Sequence, residues 1–231
     1  MNQRHCAGWS GDTVVIFDCN GVLVDGEPLA AAVAADEFTR AGIPMTPQIV
    51  AHFFTGRRAI DMFADVETAT RRKLPADFAA TLTAATLRRI REELRPMAHA
   101  AYALTWLREP KCVASSTTLE RIRASLETAG LVRYFEPNLF SANDVARGKP
   151  APDLFLHVAA KMGVHPRDCI VVEDSPVGVA AATAAGMTPI GFAGGSHVQA
   201  NLPAKLSAAG ARAVIADMRV LKSTIVALRG W

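Results

Sequence analysis

The chain has 231 residues, 50% of them hydrophobic, and a formal net charge of +3. That length and apolar content suffice for one large globular domain, or a domain carrying an insertion. The 25 basic residues are scattered among 22 acidic ones, so neither nucleic acid nor a membrane is expected as a partner, whereas a small anionic substrate is compatible.

Residues 1–12 hold Arg4 and His5 but no apolar core of a signal peptide, and no apolar run approaches a membrane span. They read as a short tail, and the chain as cytoplasmic, a monomer or small homo-oligomer. Cys6, Cys19, Cys112 and Cys169 lack metal-like or redox spacing and read as reduced, mostly buried thiols.

The first element is a β-branched run over residues 13–17 that stops on Asp18 and turns through Asn20-Gly21. Such a run reads as a buried parallel strand presenting a carboxylate at its carboxyl end, where open α/β sheets keep their chemistry. The next ninety or so residues carry helical patterning and no convincing strand, far more than a crossover needs. An inserted helical domain over 26–95 is expected, with 1–25 and 96–231 forming a discontinuous α/β core. Its helices include 29–41, closed by Gly42, and a long one near 78–94.

After Pro96 the alternation resumes. Strands are expected at 112–115, 139–141, 169–172, 189–192 and 213–215, with helices at 119–128, 153–162 and 176–185, each followed by a glycine. Strands alternating with helices predict a Rossmann-like parallel sheet covered on both faces. Three loops at strand ends carry polar groups. Ser115-Ser116-Thr117 follows the second strand, Gly148-Lys149-Pro150 precedes a helix, and Glu173-Asp174-Ser175 follows the fourth. Each has a bland reading: a helix N-cap, a solvated lysine, a polar strand end.

In this order the segments resemble the four motifs of the haloacid-dehalogenase-like superfamily, and the Glu-Asp-Ser stretch followed by Gly178 and Gly186 is close to its phosphosugar phosphatase and phosphoglucomutase-like branch. The resemblance implies an α/β core with an inserted helical cap and a Mg²⁺-dependent phosphoric monoester hydrolase acting on a small sugar phosphate. Asp18 would be the nucleophile, forming an aspartyl-phosphate, and Ser115 and Lys149 would hold phosphoryl oxygens. Mg²⁺ would take Asp18, the backbone carbonyl of residue 20, Asp174 and, directly or through water, Glu173. Ser116, Glu27 and the loop carrying Arg57 and Arg58 would meet the substrate. A phosphosugar mutase and a non-catalytic phosphosugar-binding protein are the alternatives; dehalogenation and phosphonate cleavage fit less well.

Two positions depart from the motif. Asn20 stands where the superfamily has the aspartate that serves as general acid and then base, so turnover is expected to be impaired, by on the order of 10²–10⁴ in rate. An exchange made to capture substrate and a natural divergence compete as explanations. Gly26 stands where relatives often have serine, a change expected to affect the hinge and not the reacting atoms. Arg71 to Lys73 and the arginines near 88–95 read as exposed helix faces. His197 is a site-lining candidate, and Trp106 reads as core.

Overall fold

The computed structural model describes residues 13–229; the expected tail and Cys6 lie outside them. Six parallel strands, β1 (Val14–Phe17), β2 (Lys111–Ser115), β3 (Leu139–Ser141), β4 (Cys169–Glu173), β5 (Thr188–Phe192) and β6 (Ala213–Ile215), form one sheet in the order β3-β2-β1-β4-β5-β6. The chain leaves β1 toward β2 on one side and later returns to β4 on the other. The order therefore reverses between β1 and β4, and a crevice opens there at the carboxyl ends of the strands. All six expected strands form, within one residue at each end. The expected Rossmann-like α/β class is the class observed.

Period-two alternation distributes β1 between two cores. Val15 and Phe17 pack on one face with α4 (Phe78–Glu93), α5 (Ala100–Trp106), α6 (Leu119–Thr128) and α10 (Leu221–Arg229), whereas Val14 and Ile16 pack on the other with α7 (Asp153–Met162) and α8 (Pro176–Ala184). A continuous apolar strand results because both faces are covered. Helix α9 (Leu202–Ala208) lies between β5 and β6 in sequence.

Between β1 and β2 the chain builds α1 (Glu27–Arg40), α2 (Pro47–Phe54), α3 (Ala59–Thr70) and α4, and no strand. These helices enclose an apolar cluster of their own around Phe38, Val50, Val66 and Phe78. The two segments that join this layer to the sheet run side by side. The Asp25 N–H donates to the Arg95 carbonyl (3.0 Å) and the Met97 N–H to the Leu23 carbonyl (2.8 Å).

Helices α2, α3, α5, α9 and α10 stand beyond those expected from the sequence. Trp106 is a correction: it lies at the end of α5 and is 51% exposed beside Tyr102, not in the core. Cys19, Cys112 and Cys169 are free and buried, as expected. No helix among the described residues is long and apolar enough to cross a membrane.

Candidate active site

The β1 ladder sets the centre of the site. Phe17 pairs with Val172 and the Asp18 N–H donates to the Val172 carbonyl (3.0 Å), so Asp18 lies level with Glu173 across the switch point. Gly21, at φ +79°, turns the chain sharply back; a Cβ there would overlap the Asp174 carboxylate. The loop after β1 and the end of β4 are thus pressed together.

Lys149 arrives from the loop before α7 and is 3% exposed. Its ammonium donates to Asp18 Oδ1 (2.7 Å) and to Glu173 Oε1. Although burial works against its charge, Asp18 and Glu173 hold the Lys149 ammonium above its ordinary pKa. The other Glu173 oxygen accepts from the Ser175 N–H (3.1 Å) and hydroxyl (2.9 Å). Ser175 in turn caps α8 by accepting from the Gly178 N–H (3.1 Å). A Cβ at Gly178 would collide with the Glu173 carboxylate. Both Glu173 oxygens are therefore engaged, and in this arrangement Glu173 fixes Lys149.

Burial pushes Asp18 up to about 7 against the pull of Lys149, with Glu173 adding repulsion. Asp174 is also raised well above its ordinary value, by burial first and then by Glu173 and Asp18. Its Oδ2 is buried without a hydrogen-bond partner. His197 Nε2 lies 3.0 Å away but is not aligned for a hydrogen bond, and both ring nitrogens are unpartnered. Crowded carboxylates with an orphaned oxygen fit a hard divalent cation, which would relieve their mutual repulsion. No group of three or more His, Cys, Asp and Glu side chains with metal-holding geometry occurs among the described residues; a carboxylate or two, a carbonyl and water is the donor set such a cation uses.

A cavity of ≈ 440 Å³ lies between this floor and the helical layer. It brings together Asp18, Asn20, Glu27, Ser115, Ser116 and the Arg57–Arg58 pair. Not all of these present free groups. The Ser116 hydroxyl donates to the Gly56 carbonyl (2.8 Å), tying the end of β2 to the loop between α2 and α3. Arg57 pairs with Asp65 (2.7 Å), while Arg58 pairs with Asp61 (2.8 Å) and reaches the Val145 and Ala146 carbonyls. Glu27 stands at the start of α1, and burial, followed by repulsion from Asp174, pushes it up to about 7.

Gly26 lies against Asn20. A Cβ at this position would lie 2.8 Å from Asn20 Oδ1, so the two departures from the motif are neighbours in space. Arg121, in the first turn of α6, also lines the cavity, a role its sequence setting does not suggest. Its Nε is buried with no partner. Burial lowers its pKa, and Glu27 opposes that shift most strongly.

A parallel sheet with this strand order, a buried lysine joining two carboxylates at its switch point and a helical layer above define a class of α/β enzyme. The haloacid dehalogenase-like hydrolase family model matches residues 13–186, and the chain belongs to that family. It is 31% identical over 186 residues to the 6-phosphogluconate phosphatase of Escherichia coli K12, covering 79% of this chain and 83% of that one. It is 33% identical over 179 residues to the Hexitol phosphatase A of the same organism, covering 74% and 78%. A haloacid dehalogenase-like protein of unknown function from Agrobacterium tumefaciens superposes with a TM-score of 0.79 at 37% identity, over 95% of this chain and 100% of that one.

Proposed function

We propose that this chain is a Mg²⁺-dependent phosphatase of small sugar phosphates, working through an aspartyl-phosphate on Asp18 and slowed by Asn20. The observation that carries the reading is Lys149, buried and bonded to both Asp18 and Glu173 beneath the cavity. Such a lysine holds a carboxylate beside a place where phosphoryl oxygens collect, and the similarity to two sugar-phosphate phosphatases supports the same chemistry.

In this reading Ser115 and Lys149 bind phosphoryl oxygens and orient phosphorus toward Asp18. Asp18, the Asn20 carbonyl and Asp174 hold the metal, which supplies compensation for the phosphoryl charge. Asp18 attacks phosphorus as the bond to the ester oxygen breaks, that oxygen takes its proton from solvent, and water later cleaves the acyl phosphate, freeing the Asp18 carboxylate, inorganic phosphate and a proton. Asn20 has the shape of the missing acid and base but neither takes nor gives the proton. The helices over 27–93 act as the cap that excludes water.

Phosphate release from glucose 6-phosphate and 6-phosphogluconate, with Mg²⁺, compares the chain with Asn20→Asp. The expected gain is about 10²–10⁴ in kcat; no release by either form would favour a binding protein. Metal uptake has its own readout. Mg²⁺ at about a hundredfold over its Kd should stabilise the fold by about 2.7 kcal/mol, and Asp174→Asn should abolish the shift in melting temperature. A mutase would need a further cation for a second phosphate; Arg57 and Arg58 are already paired, which leaves Arg121 for that role.

A further inference from the structure

Beyond the phosphate-facing floor, the cavity continues into the helical layer, where Ala34, Val50, Phe54, Met62, Phe63 and Leu82 line it. The threonine protons on that wall are already committed inside the helical layer, while their oxygens can still accept. Thr55, Thr83 and Thr86 donate their hydroxyl protons to the carbonyls of Ala51 (2.8 Å), Ala79 (2.8 Å) and Leu82 (2.7 Å), one turn back on their own helices. Arg57 and Arg58 are paired with Asp65 and Asp61. The floor is different: Glu27 and the unpartnered Arg121 Nε stand beside Asp18.

A bare polyol placed here would find threonine oxygens to accept from it but would lie mostly against apolar side chains, and each hydroxyl buried there unpaired is unfavourable. An apolar group in the same place gains by leaving water. The ≈ 440 Å³ volume lies in the lower part of the range usual for small-molecule sites, roughly 300–1,000 Å³.

We propose that the substrate is an amphipathic phosphomonoester: a sugar phosphate whose hydroxyls meet Glu27 and Arg121 and whose far side carries an apolar substituent seated among the helices. This rests on the phosphatase reading and narrows its substrate class. Arg121 and Glu27 read the polar half; the alanine-lined and phenylalanine-lined chamber selects the other half.

The test uses the chain as it stands, because slow turnover permits equilibrium binding. Calorimetric titration with Mg²⁺ present compares inorganic phosphate, glucose 6-phosphate and phenyl 6-phospho-β-D-glucoside. The phenyl glucoside is expected to bind at least fivefold more tightly than glucose 6-phosphate, and Thr83→Phe, which fills the chamber from α4, to bring that ratio to about one. A smaller ratio in the unmodified chain, or an advantage that survives Thr83→Phe, overturns the proposal. Should the variant fail to fold, the ratio in the unmodified chain decides. If glucose 6-phosphate binds without any gain from the phenyl group, only the substrate class is lost; if neither phosphate nor either ester binds, the phosphatase reading falls and this proposal with it.

Discussion

Lys149 carries a positive charge in a place where only its partners make that charge tolerable. Lys149→Met leaves Asp18 and Glu173 facing each other without compensation, and breaking a buried ionic contact by removing one partner costs about 3–5 kcal/mol. Urea denaturation at pH 8 should register that loss, and phosphate binding should disappear with it. Glu27 offers a titration in the same range as Asp18. Its folded value of about 7, against an ordinary 4.5, means that the folded chain binds this proton more tightly than the unfolded one. The resulting stabilisation is fully present below pH 4.5 and is lost as pH rises through 7. In metal-free buffer Glu27→Gln should flatten this decline in the urea midpoint; an unchanged slope would contradict the assignment. Gly26→Ser would crowd Asn20 Oδ1, so its effect on the urea midpoint should change when it is combined with Asn20→Asp.

At the level of elements, short local rules deliver the site residues to one place. The strand period aims Asp18 off β1, a serine cap starts α8 just after Glu173, and the glycine at 178 leaves room for that carboxylate. Ser175→Ala removes the α8 cap and the hydroxyl hydrogen bond to Glu173 together, leaving the backbone N–H bond in place. Cap loss alone costs about 1 kcal/mol, and the thermal midpoint should fall by more than that loss predicts. The Ser116 hydroxyl acts between elements, joining β2 to the loop ahead of α3. Its neighbours at Gly56 and Gly148 approach closely as well: a Cβ on Gly56 would meet Ser175 Oγ at 2.6 Å, and one on Gly148 would meet Arg58 Nε at 2.7 Å.

Over the whole molecule, three apolar clusters divide the work. Two sandwich the sheet, and the third belongs to the helices over 27–93. Phe38, fully buried in the third, packs against Phe63 and Phe78 with ring centroids 6.3 and 4.8 Å away. Phe38→Ala should cost about 3–5 kcal/mol. Because its contacts lie within the helical layer, hydrogen exchange should lose protection in α1–α4 while β1 and β4 keep theirs; uniform loss across both would show a single cooperative unit.

The six strands, the helices ending at glycines and the carboxylates at strand ends were legible because each depends on neighbours in sequence: a β-branched run, a cap, a turn. Asp18, Lys149 and Asp174 stood out through the order of their segments, which resembles the superfamily's motifs; taken singly each had a bland reading. Other features were not legible. Arg121 lies in a helix that otherwise reads as amphipathic and solvated, and what surrounds it, Glu27 and Asp18 among others, is distant in sequence. The pairing of Arg57 and Arg58, the turning of the Ser116 hydroxyl toward Gly56 and the apolar chamber depend on how the helical layer meets the sheet. Sequence alone determined which groups reach the sheet edge, because backbone periodicity is local. Tertiary packing decided which of them remain unpaired and what surrounds them, because hydrogen-bond partners and desolvation come from residues distant along the chain.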